Sequence, residues 1–310
     1  MLEHRFAKAV AFATFCLLVW GGMVNATGSG LACPEPTFVC HGDLFPKMEG
    51  GVFYEHGHRL LAETVGILQI ILTVLLWRRR PQLRKLSLLL GGMILAQAAL
   101  GATTVAFKLP WFVSSGHLLL GSSYFAMLIY TAFRTRREPT VVELDRHAKL
   151  RTELGATRTW ILVALGAIVV QIVLGALVRH LGAALVCLGM PQCTMDGTWF
   201  PDAGIQDLHM VHRAWGCITA VITTVAAVKV WRAAKSWPQL RTLATLAPIL
   251  VAGQITLGIF TVLTWRAAPL AVAHFAGAES LWALWISAWL MTAPRTTGVQ
   301  TGALKREVVA

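Results

Sequence analysis

Four histidines set the chemistry open to this sequence: His58, His117, His212 and His274. Each stands about one turn into a long apolar run that can form a helix. A neutral imidazole is a good ligand for iron, copper or zinc. An ionisable side chain within an apolar segment is costly, and usually faces the interior of a helix bundle. Four at one depth, two in each half of the chain, form a constellation. Interhelical hydrogen bonding is the plainer reading of any one of them. Zinc usually takes three or four protein ligands. Two histidines per site, with no further His or Cys at that depth in the first half, suit haem better. A porphyrin supplies four nitrogens and asks the protein only for axial ligands. Gly57, Gly116 and Gly277 lie close in sequence to these histidines and are small enough to let a flat ring approach the backbone.

Glu55 lies three residues before His58 and shares its helix face; His209 stands at the matching place before His212. A carboxylate in a partly apolar site can move protons, so Glu55 is the catalytic candidate. Its alternative role is to complement the helix dipole. Arg59 and Arg213 are expected either to hold the propionates of a bound haem or to anchor their helices at the interface. Glu63 and Glu279 lie deeper and give weak signals. His41 and His56 are expected to be solvated; His4, His147 and His180 are expected to be peripheral.

The elements that must position these residues are membrane helices. The chain of 310 residues is 56% hydrophobic and only 14% charged, with a mean hydropathy of +0.62. Soluble domains carry about 25% charged residues. Eight runs of roughly 20 apolar residues start near Ala7, Tyr54, Leu86, Trp111, Thr159, Leu208, Leu243 and Ala271. The first shows no small-x-small cleavage site and is expected to be retained. The net charge of +12 sits in short loops. It suits an anionic cytoplasmic leaflet rather than nucleic acid. With the N-terminus inside, 21 of the 27 Lys and Arg fall on inner segments, including Arg295, Lys305 and Arg306. By the positive-inside rule both termini are cytoplasmic. The loops at about 25–54 and 179–207 and the histidines then lie near the outer face. Those loops hold Cys33 and Cys40, and Cys187 and Cys193, which are expected to form two local disulfides in an oxidising compartment; free thiols or a metal site are the alternatives. Cys16 and Cys217 read as small packing residues.

The halves repeat. At an offset of 154, Gly21, Val24, Gly28, Leu31 and Cys33 fall on Gly175, Val178, Gly182, Leu185 and Cys187, and His58-Arg59 on His212-Arg213. At 157, Gln97, Leu100, Gly101 and His117 fall on Gln254, Leu257, Gly258 and His274. We therefore expect an all-α integral membrane protein, with eight transmembrane helices in two tandem pseudo-symmetric four-helix bundles. The expected divisions are a first half at 1–137, a charged cytoplasmic linker at 138–158 and a second half at 159–310.

Glu55-His56-Gly57-His58-Arg59 resembles the Glu-x-x-His-Arg motif of the haem A synthase family. So do the loop from Ala26-Thr27-Gly28-Ser29-Gly30-Leu31 to Cys33 and Cys40, the His-Met-Val-His-Arg run at 209–213, and the histidines opening the fourth and eighth runs. The resemblance covers the chain from about Ala7 to Leu290. It implies oxidation of the C8 methyl of haem O to a formyl group by successive hydroxylations, with water lost from the gem-diol. It implies His58 and His117 at the substrate haem, His212 and His274 as axial ligands of haem b, catalysis by Glu55, and an outer-loop disulfide. Expected partners are haem O and haem A, membrane lipids, haem O synthase, a terminal oxidase assembly factor, an unidentified electron acceptor and a second copy of the chain, in a bacterial inner membrane. A bis-histidine dihaem cytochrome acting only in electron transfer is the alternative. A duplicated transporter would show broken helices at the midplane, and no paired Gly/Pro interruption is seen.

Overall fold

The computed structural model describes residues 2–137, 139–201 and 204–293. Arg295, Lys305, Arg306 and the expected end of the second half lie outside the described residues, as does Glu138 at the start of the expected linker. Among the described residues the protein is all-helical, with nine α-helices: α1 Leu2–Ala26, α2 Gly50–Arg79, α3 Arg84–Ala106, α4 Trp111–Arg134, α5 Val141–Leu154, α6 Thr157–His180, α7 Gly204–Ala233, α8 Pro238–Leu263 and α9 Ala268–Thr292. In the absence of water a helix satisfies its own backbone groups, which is why long apolar runs fold this way.

Seven of the nine are long and apolar enough to cross a membrane. α9 has the length, with 25 residues. Glu279 and its tryptophans lower its hydropathy, so it is not one of the seven. α5 is the charged segment between the halves. Thr140 and Glu143 close a capping box at its start, and it packs against α7 and α9. His147, expected at the periphery, is instead buried there, with its ring 4.3 Å from that of Trp237.

Each half closes on itself. α1 packs on α2 and α4, and α3 packs on α2 and α4; in the second half α6 packs on α7 and α9, and α8 on α7 and α9. The halves meet where α1 and α4 pack on α9 and where α4 packs on α6. One apolar core lies in each set, around Leu72, Tyr124 and Leu128 in the first and Ile161, Leu240 and Trp285 in the second, and Trp282 packs against both.

The turns repeat as well. Lys108 and Leu109 after α3 both adopt left-handed φ, of 56° and 61°, as do Trp265 and Arg266 after α8, of 53° and 65°. The amide of Leu109 donates to Thr104 O and that of Arg266 to Thr261 O, both at 2.7 Å. Gly28 and Gly182 follow α1 and α6 with φ of 69° and 72°, the helix-ending conformation that glycine adopts without steric cost.

Candidate haem sites

Each of the four histidine rings sits over a glycine of a neighbouring helix. A methyl group built on Gly21 of α1 would lie 3.0 Å from Cε1 of His58 on α2. The same holds for Gly101 of α3 and His117 of α4 at 3.1 Å, Gly175 of α6 and His212 of α7 at 3.3 Å, and Gly258 of α8 and His274 of α9 at 3.2 Å. All four contacts are tighter than ordinary van der Waals contact, so any Cβ there would crowd the ring. The glycines singled out by sequence proximity behave differently. Gly116 faces open space, Gly57 faces Trp20, and Gly277 faces the side chain of Gln254.

The rings pair within each half: His58 lies within electrostatic reach of His117, and His212 of His274. A glutamine four residues before the seat glycine braces three of the four positions. Gln97 donates its amide to His117 O at 2.9 Å, and Gln171 to His212 O at 3.3 Å. Backbone O of Gln254 accepts from Nδ1 of His274 at 3.1 Å. That bond fixes the Nδ1–H tautomer and leaves the Nε2 lone pair for a metal. On α1 the corresponding residue is Leu17, and His58 has no such partner.

The two halves therefore differ at Nδ1. That of His274 donates to Gln254 O at 3.1 Å, that of His212 accepts from the Gln171 amide at 3.3 Å, and the Gln97 amide stands 3.5 Å from Nε2 of His117. The Nδ1 atoms of His58 and His117 are buried without a partner. No cluster of three or more His, Cys, Asp or Glu suited to a bare metal occurs among the described residues. Paired imidazoles on facing helices, seated on glycine, fit a macrocycle that brings its own equatorial donors.

The disulfide loops close over the same end of the molecule. Cys33 and Cys40 are bonded at 2.01 Å and Cys187 and Cys193 at 1.96 Å, all four buried. Glu55 joins the first loop to α2. Its carboxylate accepts from Cys33 N at 2.9 Å and pairs with Arg59 at 2.7 Å. Arg59 also donates to Thr37 O, Val39 O and Cys33 O at 2.7, 3.0 and 2.9 Å. Arg213 donates in the same way to Gly189 O, Gln192 O and Cys187 O at 2.8, 2.9 and 2.6 Å. Arg59 and Arg213, expected at the propionates of a bound haem or as helix anchors, thus tie their helices to the outer loops through backbone carbonyls.

Other expectations change with burial. His56, expected to be solvated, is 1% exposed with neither ring nitrogen bonded, because the first turns of α2 lie beneath the loop. Met210 takes the equivalent place against the second disulfide. His41 is exposed, as expected, and its Nε2 lies 2.9 Å from Ala32 O. His209 is buried with Nδ1 unpartnered. Glu279 is fully buried and takes a 2.5 Å hydrogen bond from Ser122 of α4 across the boundary between halves. Glu63 is half-buried on α2. Cys217 is exposed on α7 rather than packed, and Cys16 is half-buried. His4 bonds Ala132 O at 2.8 Å. His180, expected at the periphery, lies instead beside the first-half site, 3.2 Å from Ser115 of α4 and within electrostatic reach of His117.

Residues 47–286 match the COX15-CtaA family, described as cytochrome oxidase assembly protein. The chain belongs to this family. Its relatives include a "Heme A synthase" of Shouchella clausii, 29% identical over 272 residues, covering 85% of this chain and 87% of that protein. Another "Heme A synthase", from Bacillus pumilus, is 30% identical and covers 85% and 86%. A third, from Shewanella oneidensis, is 27% identical and covers 86% and 90%. The family match spans all four histidines, the second cysteine pair and the α4–α9 boundary.

The seat glycines and the glutamines four residues before them were not recognised by sequence reasoning as partners of the histidines. The signal was present: Gln97 and Gly101, Gln171 and Gly175, and Gln254 and Gly258 keep one spacing in three helices. Arg179 and Arg266 carried no repeat signal, since Asn25 and Leu109 stand at the matching places.

Proposed function

We propose that the two histidine pairs are two haem sites with unequal tasks, an exchangeable substrate site in the first half and a resident haem b site in the second. Members of the haem A synthase family oxidise haem O to haem A, and this chain is an oxidoreductase of that kind. In this reading residues 1–137 and 159–310 are two four-helix halves with eight spans, joined by the segment 138–158. The termini lie on the cytoplasmic side, and the disulfide loops and histidines lie near the outer face.

The Nδ1–H bond of His274 carries the assignment. Histidines that hold a metal permanently donate their second ring N–H to an acceptor, which fixes the ring and raises its basicity. His274 has that support from Gln254 O, whereas Nδ1 of His58 and of His117 is buried without a partner. A resident cofactor belongs in the half that holds the braced His274, and a molecule that must enter and leave belongs in the other. When bound, the resident haem supplies one-electron transfer. The protein's part in the oxidation falls to residues of the first half. Glu55, one turn before His58, accepts protons as C–H bonds of the substrate methyl are replaced. Arg59 holds its carboxylate in place, and the first disulfide loop lies over it and keeps bulk water away.

Glu55→Gln tests the reading with little change of shape. In cells that also make haem O, the variant should retain its resident haem and yield no haem A in acid–acetone extracts. Normal haem A would reduce Glu55 to a brace for the loop. Its absence from cells carrying the wild-type chain would favour a cytochrome that only carries electrons.

A further inference from the structure

The second half sends two arginines across to the first. Arg179, at the end of α6, donates to Gly21 O and Gly22 O at 3.1 and 3.3 Å. Arg266, in the turn before α9, donates to Asn25 O and Ala26 O at 2.9 and 3.3 Å. Both guanidinium groups thus lie along the last turn of α1, directly after the glycine that seats His58. They are within electrostatic reach of each other, and Arg179 is within reach of His58. Arg179 also lies over the ring of Phe275, 5.2 Å from its centroid.

Carbonyls at a helix C-terminus carry partial negative charge and suit one cation. They leave two guanidiniums under-compensated. Neither arginine is among the ion pairs of the described residues, which join Lys47 to Glu49, Arg59 to Glu55, Arg79 to Glu3 and Arg137 to Glu143. Nε of Arg179 is buried and bonded to nothing. Each guanidinium has five donors in a planar fork, and the α1 carbonyls engage only one terminal nitrogen of each. Two half-buried like charges held together call for an anion between them. The feature is one-sided. Asn25 and Leu109 stand at the matching positions of the first half, and the charged neighbours of His212 are Arg213 and its fellow histidines, all from its own half.

We propose that Arg179 and Arg266 bind the two carboxylates of the haem that occupies the first-half site, so that the second half completes the substrate pocket of the first. The proposal rests on reading His58 and His117 as a haem site, and adds the residues that recognise the propionates. Two forks for two carboxylates give charge-assisted bonds and set the edge-on orientation of the ring between the histidines. Because the arginines sit above His58, the propionate edge faces the disulfide end and the opposite edge lies deeper between the helices.

The test compares haemin with its dimethyl ester, whose propionates carry no charge. Both are titrated into the detergent-solubilised holoprotein, with its resident haem in place, and binding is followed by the Soret band. Wild type should prefer the diacid to the diester by about tenfold or more, the scale of one charge-assisted hydrogen bond. In Arg179→Gln/Arg266→Gln that preference should fall to near unity, with diester affinity and the resident haem spectrum unchanged. A wild-type protein that binds both forms equally would overturn the proposal without any variant. So would a double variant that keeps the preference, or one that weakens both forms alike, since the arginines would then only cap α1. If His58→Ala binds both forms as well as wild type does, the site reading itself fails and the arginine assignment falls with it.

Discussion

Glu55 and His209 occupy the same place in the two halves, one turn before a candidate ligand and beneath a disulfide loop. In the first half the acid is tied to Arg59 and to the amide of Cys33. In the second half Arg213 serves the loop alone, and Nδ1 of His209 has no partner. The seats themselves were preserved, with a glycine facing each ring at 3.0 to 3.3 Å from its would-be Cβ. The surroundings diverged: α1 carries Leu17 where α3, α6 and α8 carry glutamine, and Arg179 and Arg266 reach into the first half with no counterpart reaching back. A duplicated scaffold can thus keep its ligands and separate its tasks through the groups around them.

The comparison breaks most sharply on the ligands. His212→Ala or His274→Ala should abolish retention of the resident haem through purification, while His58→Ala and His117→Ala should purify with it at wild-type stoichiometry. Pyridine haemochrome spectra give the count. Full occupancy in His212→Ala, or equal loss from variants of both halves, would end the division of tasks.

A smaller effect sharpens the comparison. Gln171→Leu gives the second half the residue that α1 already has at Leu17. It removes the amide beside Nδ1 and backbone O of His212 while leaving the ring on Gly175. The bond of that amide to His212 O holds the backbone that carries the ligand, and loss of an outer-shell bond typically weakens metal retention by about 10- to 100-fold. Transfer of the resident haem to excess apomyoglobin should speed up by that order in Gln171→Leu. An unchanged rate would mean that the glutamine braces the helix and not the ligand.

Much of this was legible in the sequence because it is periodic or strongly typed. The apolar runs, the offsets of 154 and 157, the cysteine pairs and the four histidines needed only spacing. Contacts across helices were less accessible. His56 and His41 both lie near a cysteine loop, yet one is buried under it and the other exposed on it, a difference set by how the loop folds back on α2. Arg59 and Arg213 read as ligand contacts because a guanidinium fork suits a carboxylate. The partners are backbone carbonyls, which every residue has and no residue type advertises. Arg179 lay equally hidden, because its site belongs to the other half and the repeat has no matching arginine.

The weakest expected effect separates the two outer loops. In the first, Glu35 accepts from the amides of His41 and Gly42 at 3.0 and 3.1 Å. In the second, Asp196 is bound by the Thr194 hydroxyl and the Thr198 amide. Both pKa values are lowered: for Glu35 mainly by its own backbone amide and then by those of His41 and Gly42, and for Asp196 mainly by Thr194. A carboxylate with a lowered folded pKa stabilises its loop above its ordinary pKa, about 4.3 for Glu and 3.9 for Asp. That contribution is lost as the pH falls through the lowered value. Glu35, inside the loop that the first disulfide closes, joins that loop to the turn just after Cys40, whereas Asp196 bonds only within its own turn. Glu35→Gln should therefore speed amide exchange at His41 and Gly42 by about twofold to fivefold at pH 6, the scale of an exposed charged contact. The difference from wild type should shrink as the pH falls through the lowered pKa of Glu35, where its carboxyl becomes as neutral as the amide. Equal exchange at pH 6 would show that the disulfide and Arg59 alone hold the first loop, and the two loops would then differ only through Glu55.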